Sequence, residues 1–401
     1  MIGTPVREIV RAVDDAATEW SDSTSARRAD ARAAVAVRTG YSLAAVEYAF
    51  DRLFGTLRRG ALEAIITEEL GALDVLDGFT ALAARPSARA LPIGRVCIIS
   101  SRTTIGVALL PAVFALCAKC DVLVKDREDR LVAAFLESLT ERLPALAGAC
   151  AAHAWSSEDD SGDLSAFDAV VAFGSDAAIA AIASGLPAAT RFLPFASKAS
   201  AGYVTRESLT TTAAAAAIAR GAATDLVLYE TEGCLSLHAL FVEAGGNVTP
   251  NEFADLLADA IDDAALRLAP ADVEPFSTAQ RAMARDAALF GDAREVYSGA
   301  HGAFLAVLDA PFDEAPLLLS RSIGIRCVER PADATEYLRH HGMTLEGLAV
   351  AGTRPDVLDL ALASGASRIA PFGSLQAPPL RAFHGGRRRI ADFVRWVGDE
   401  S

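Results

Sequence analysis

The chain has 401 residues, of which 52% are hydrophobic and 22% charged, and it carries a net charge of −15 at pH 7. That length exceeds what a single compact core usually holds and points to two sizeable domains, while the apolar content excludes a disordered chain. The acidic balance argues against nucleic acid or an anionic membrane surface as partner, because a phosphate-binding face needs a cationic stripe.

Residues 1 to about 90 have helical periodicity and abundant Ala, Arg and Leu. Ser42 to Glu47 has the form of a capping box, after which Ala45, Val46, Ala49, Phe50, Leu53 and Phe54 share one face. The stretch from Met1 to Asp15 lacks the apolar core of a signal peptide. From Gly94 the character changes. Arg95 to Ser100 is an apolar strand, Ser101 to Thr104 a polar break, and an apolar helix follows to about Lys119. The longest apolar run, Ile105 to Cys117, is too short to span a bilayer and contains Pro111. Asp121 to Lys125 is a second strand, so the unit reads as strand–helix–strand of the buried parallel type.

Asp129 to Leu143 is expected to be helical, and His153 to Ala166 an acidic, Ser-rich surface loop. Phe167 to Phe173 is a strand running into Gly174-Ser175 and a helix from Asp176 to Ser184. Strands at 191–195 and 201–204 and a helix at 208–220 complete an alternation that implies a doubly wound parallel sheet. Beyond it, strands at 237–243, 302–309, 323–329 and 348–351 alternate with helices at 249–266, 278–290, 331–340 and 354–363, a second α/β domain. The tail from Arg368 is rich in Gly, Pro and Arg, and Ile390 to Trp396 reads as a short amphipathic helix.

The six cysteines (97, 117, 120, 150, 234 and 327) are scattered through apolar segments, the usage of a reducing cytoplasm rather than of a disulfide framework. The expectation is a soluble cytoplasmic protein. Cys117 and Cys120 have C-x-x-C spacing but no second pair, and the histidines at 340, 341 and 384 have no carboxylate cluster around them, so no metal site is expected. Cys234 stands apart. It follows Gly233 at the end of a loop, just before a strand, with Ser236 and His238 close behind. Locally it reads either as a small buried hydrophobe or as a covalent nucleophile. Gly174-Ser175, between strand and helix, reads either as common turn chemistry or as a phosphate or ribose contact, and Lys125, ending a strand, either as a solvated charge or as a cation for a ribose or 2′-phosphate. No G-x-G-x-x-G follows any strand.

The strand and polar break at 95–104, Val124-Lys125, Phe173-Gly174-Ser175 and Cys234-Leu-Ser-Leu-His238, in that order, resemble the aldehyde dehydrogenase superfamily. The closer likeness is to its LuxC-like acyl-CoA reductases, with Ser367 to Gly373, His384-Gly-Gly and Phe393 to Trp396 as the closing segments. The resemblance covers roughly 94 to 398. It implies a Rossmann-type parallel-sheet cofactor domain (91–228) after a helical segment (1–90), a second α/β catalytic domain (229–365), and a C-terminal segment (366–401) returning to the first. It further implies NADPH-dependent reduction of an acyl thioester, carried by CoA or an acyl-carrier protein, through an acyl-Cys234 intermediate. Thr103 would steady the oxyanion (Arg102 if the alignment slips by one) and His238 would belong to the catalytic set. Ser100, Lys125, Gly174 and Ser175 would hold the cofactor. NADPH over NADH rests on the family and on Lys125 and Arg127, set against Asp126 and Glu128. A homo-oligomer and a partner enzyme of the same pathway are also implied. Two other readings stand beside this one: acyl transfer without hydride, and a non-catalytic subunit that stabilises a partner.

The chain departs from the family pattern in three places. Thr103 stands for an asparagine, Lys119-Cys120 for Gly-Asn, and Leu237 for proline. The glutamate base of acid-forming aldehyde dehydrogenases falls near Pro194 to Ser200, yet no Asp or Glu occurs from Ala177 through Arg206. An acyl-cysteine without a base to activate water would await hydride or another thiol.

Overall fold

The computed structural model describes residues 3–401 other than 84, 102, 127–129, 154–162, 269–274, 301–302 and 353. The chain divides into two units. The first comprises 1–197, 379–383 and 387–401, and the second 198–378 and 384–386.

The first unit opens with four helices: α1 (Val6–Ser21), α2 (Ala26–Thr39), α3 (Leu43–Thr56) and α4 (Arg59–Leu70). Ser25 and Ser42 cap α2 and α3 by accepting hydrogen bonds from Arg28 N and Ala45 N. β1 (Thr80–Leu82) and β2 (Arg85–Pro92) follow, then β3 (Arg95–Ile99), α5 (Leu109–Cys117), β4 (Asp121–Lys125), α6 (Leu131–Arg142), β5 (Cys150–His153), β6 (Ala169–Phe173), α7 (Asp176–Ser184) and β7 (Arg191–Phe195). Strands β3 to β7 form a parallel sheet in the order β5-β4-β3-β6-β7. Its connections run outward in both directions from β3, so the strand order reverses between β3 and β6, where such sheets bind ligands at their carboxyl ends. Trp20 of α1 packs its ring against Phe50, Phe54 and Phe135 and donates its indole N–H to Ser138 Oγ at 3.1 Å, joining α1 and α3 to α6.

The second unit contains β8 (Ala199–Val204), α8 (Thr212–Val227), β9 (Leu237–Glu243), α9 (Pro250–Leu268), α10 (Pro275–Phe290), β10 (Glu295–Ser298), β11 (Leu305–Leu308), β12 (Ser322–Val328), α11 (Pro331–His340), β13 (Leu345–Ala351), α12 (Pro355–Ala363) and β14 (Arg368–Ala370). Its seven-stranded sheet has the order β10-β11-β12-β9-β8-β13-β14 and is parallel apart from the β10–β11 pair. Alternation along β9 splits the core. Leu240 and Val242 pack with α8 and α9, whereas Ala239 and Phe241 pack with α11 and α12. Phe372 lies so close over β8 and α8 that a Cβ on Gly202 would meet its ring at 2.6 Å, and one on Gly221 its backbone at 2.7 Å.

Several elements depart from the sequence expectations. The N-terminal stretch is not helical to residue 90, because β1 and β2 begin at Thr80. β2 pairs antiparallel with both β1 and the last strand, β15 (Val394–Asp399). The expected C-terminal helix at 390–396 is therefore a short turn leading into β15, whose backbone finds its partners in β2, 300 residues away in sequence. β8 and α8, expected with the first sheet, belong to the second, where β8 lies between β9 and β13. The Lys119-Cys120 departure has a local reason: Lys119 holds a left-handed φ of 65°, natural for glycine, and its ammonium pairs with Asp77.

Candidate active site

α8 and β9 are joined by the segment that carries Cys234. Gly233 to Ser236 form a tight turn, with Ser236 N–H donating to Gly233 O at 2.9 Å. The Ser236 hydroxyl, fully buried, accepts from Gly233 N–H at 3.2 Å and from the Gln376 amide at 2.7 Å. Ser200 on β8 braces the turn from the other side. Its hydroxyl donates to Cys234 O at 2.8 Å and accepts from Gly347 N–H at 3.0 Å. Buried polar groups here are thus partnered, as a rigid turn requires.

The Cys234 residue is half-buried. Burial pushes its thiol up to about 12, and the Glu346 carboxylate pushes in the same direction. The Lys198 ammonium and the local backbone dipoles pull the other way. Glu346 sits on β13, 4% exposed, and its oxygens are taken up by Ser367 Oγ at 2.6 Å, Gly385 N–H at 2.7 Å and Lys198 Nζ at 3.0 Å. Burial raises this carboxyl, but those three donors together hold it below the ordinary carboxylate range. Neither Glu346 nor Ser200 nor Gln376 carries a local signal in the sequence. Each comes to the turn from a separate strand or loop.

His238 is held neutral by burial, and Ser200 N–H donates to its Nδ1 at 3.3 Å. His238 also lines a small apolar cleft of about 70 Å³ with Phe241, Ala288, Val307, Leu317 and Gly324. A Cβ at Gly324 would meet nothing within 4 Å, so the cleft owes its width there to the missing side chain.

In the first unit, Ser100, Lys125, Gly174 and Ser175 follow or end three adjacent strands, β3, β4 and β6, at one edge of the sheet. Ser100 is buried and donates its hydroxyl to Ser101 O at 3.0 Å. Ser175 caps α7 by accepting from Ala178 N–H at 3.3 Å, leaving an exposed helix start beside Gly174. These residues lie beside the reversal of strand order, the place where parallel sheets of this kind bind ligands, with Lys125 buried and the α7 start exposed. Thr103 also lies in this unit, where its carbonyl accepts from the Tyr41 hydroxyl at 3.0 Å. Arg102, Arg127 and Glu128, and the acidic loop between His153 and Asp163, lie outside the described residues. Cys117 and Cys120 are buried free thiols, and no cluster able to hold a metal occurs among the described residues. Nor is any described helix long and apolar enough to cross a membrane.

The family model of acyl-CoA reductases, LuxC, matches residues 2–396. The chain belongs to the LuxC acyl-CoA reductase family. No curated relative matches. Among solved structures, an NAD-dependent benzaldehyde dehydrogenase from Corynebacterium glutamicum superposes with a TM-score of 0.70 and 14% identity, covering 100% of this chain and 87% of that one. Aldehyde dehydrogenase 21 from Physcomitrella patens, in complex with the product succinate, gives 0.71 and 11% over 99% and 86%. Glyceraldehyde-3-phosphate dehydrogenase GapN from Methanocaldococcus jannaschii, in complex with NADP, gives 0.70 and 11% over 99% and 90%. At such identities the likeness is one of fold, and the fold is that of aldehyde dehydrogenases. LuxC family membership and this fold support an oxidoreductase that reduces an acyl group to the aldehyde.

Proposed function

We propose that this LuxC-family reductase converts an acyl thioester, carried by CoA or a carrier protein, to the aldehyde through an acyl-Cys234 intermediate, with NADPH as reductant. The observation that carries the reading is the Cys234 turn at the head of β9, which Ser200, Ser236 and Gln376 brace through buried hydrogen bonds. Cys234 Sγ attacks the thioester carbonyl. The new Sγ–C bond replaces the carrier's S–C bond, and the carrier leaves as a thiol, taking the proton that Cys234 gives up. Burial disfavours the thiolate, and the Lys198 ammonium works against that burial in part. When bound, NADPH supplies the hydride that reduces the acyl carbon. As the aldehyde departs, the Sγ–C electron pair returns to sulfur.

Ser100, Lys125, Gly174 and Ser175 are the residues that would hold the cofactor. The Thr103 hydroxyl remains the family-matched oxyanion donor. His238, with Nδ1 occupied by Ser200 N–H, serves in this reading as a wall of the acyl cleft and a brace for the turn rather than as a base. Glu346 is the acid nearest in effect to Cys234, yet its donors hold the carboxyl below its ordinary range and make it a weak base toward water, so the acyl-cysteine awaits hydride.

The test is intact mass spectrometry of the protein after exposure to a panel of acyl-CoAs, with NADPH oxidation followed in parallel. The expected result is a single acyl adduct on Cys234 that disappears when NADPH is added. A Cys234→Ala variant that keeps full turnover would overturn the mechanism, and adduct formation without any NADPH binding would turn the reading to acyl transfer.

A further inference from the structure

The segment just upstream of Cys234 is strained. Tyr229, Glu230 and Thr231 have φ values of 59°, 54° and 64°, three consecutive non-glycine residues in the left-handed region. Side chains with a Cβ resist that region, and such residues persist only where their surroundings over-determine them. Only Glu232 and Gly233 separate this left-handed turn from the nucleophile proposed above.

What over-determines it comes from the loop that leads into β12. Thr231 Oγ1 donates to Leu226 O at 2.8 Å and accepts from Arg321 N–H at 2.9 Å. The Glu230 carboxylate accepts from Ser320 Oγ at 3.0 Å, and Arg321 Nε lies 3.0 Å from the same oxygen. Arg321 is 2% exposed and is itself left-handed, with φ 50°. Arg281 of α10, equally buried, donates to Ser320 O at 3.2 Å and fixes the loop from behind. Two left-handed segments, remote in sequence, thus hold each other by a buried ion pair and a shared hydroxyl. A connection between α8 and β9 that only had to close would place glycine at these positions.

We infer that Arg321, Glu230 and Thr231 are positioning residues: their clamp holds the left-handed turn, and that turn sets the depth and orientation at which Cys234 is presented. The inference rests on the reading of Cys234 as nucleophile. None of the three touches the reacting atoms. Glu346 and Lys198 are the charged side chains that act on the Cys234 thiol. A change at Glu230 or Thr231 therefore reaches the thiol through the path of the backbone.

The experiment alkylates the full-length protein with iodoacetamide across a range of pH and reads modification at Cys234 and at Cys327, half-buried on β12, by peptide mass spectrometry. Wild type is compared with Glu230→Gln, Thr231→Val and the milder Arg321→Lys, each checked for folding by circular dichroism. Releasing the clamp opens the turn to water, so the Cys234 midpoint falls from about 12 toward its ordinary value of 9.0. The rate at about pH 8 then rises roughly tenfold or more, because the thiolate is the reactive form. Cys327 keeps its profile, which a general loss of stability would not allow, and kcat for acyl-CoA reduction falls roughly tenfold with KM unchanged. A folded variant with an unchanged Cys234 profile overturns the clamp. Full turnover by Cys234→Ala would instead overturn the nucleophile and leave the alkylation result standing, so the two failures are distinguishable.

Discussion

The Ser200 hydroxyl is bonded at once to Cys234 O, at 2.8 Å, and to Gly347 N–H, at 3.0 Å. One side chain on β8 thereby ties the Cys234 turn to the strand that carries Glu346. Ser200→Ala leaves a buried carbonyl and a buried N–H without their partner. The expected cost is about 1–3 kcal/mol of stability, measured by urea unfolding. Turnover should fall more than that loss explains, since the turn loses its brace as well. Unfolding and acyl-CoA-dependent NADPH oxidation indistinguishable from wild type would show that the contact has no role.

Gly324 offers a direct probe of where the acyl chain lies. Its Cβ would enter open space in the apolar cleft beside His238, so Gly324→Leu fills the cleft without a clash in the strand backbone. If the chain occupies this cleft, KM for long acyl-CoAs should rise roughly tenfold or more while the shortest acyl group is little affected, the usual worth of a displaced apolar contact. Equal effects at every chain length would place the acyl group elsewhere.

Ser175 tests the cofactor edge. Aspartate caps helices as well as serine does, so Ser175→Asp preserves the start of α7. It also sets a carboxylate where the anionic phosphates of the cofactor are expected. KM for NADPH should rise roughly five- to tenfold, less at high salt, with stability unchanged. An unchanged KM would remove Gly174-Ser175 from the cofactor site.

Asp225 of α8 holds the 373–376 loop through Gly373 N–H at 2.6 Å and Leu375 N–H at 3.1 Å, and Gln376 from that loop reaches Ser236. Burial raises this carboxyl to about 7 from 3.8, against the pull of those N–H groups and of Arg368. Between these values the folded chain keeps a proton that the unfolded chain has released. The stability contributed by Asp225 is therefore complete below pH 3.8 and lost as pH rises through about 7. Its size is at most roughly 4 kcal/mol, since each tenfold gain in proton affinity on folding is worth about 1.4 kcal/mol. Unfolding midpoints measured at several pH values should decline more steeply across that window for wild type than for Asp225→Asn. Parallel slopes would refute the assignment.

Much of the core architecture can be read directly from the chain. The run Val96 to Ile99, buried on both faces, and the alternation of Phe241 with Leu240 and Val242 declare their strands, because side-chain periodicity and burial are local properties. The helix at 176–184 has its cap and both ends in plain view, since Ser175 starts it and Gly185 follows it. β15 is misread as a helix because its hydrogen-bonding partner, β2, lies 300 residues away. The left-handed turn at Tyr229 to Thr231 has no sequence signature, for none of its residues favours that conformation and only Arg321, from a remote loop, holds it there.

The sequence by itself determined the family likeness, the candidate cysteine and the absence of any Asp or Glu from Ala177 through Arg206, all of which depend on residue type at a position. Only the tertiary structure decided what surrounds Cys234: Lys198 and Ser200, Glu346, and Gln376, drawn from three separate segments. It also decided that the carboxylate brought closest in effect is already bonded to Ser367, Gly385 and Lys198. The physical reason is that a thiol's charge state and a turn's rigidity are set by whatever packs against them, and packing joins residues that sequence distance keeps apart.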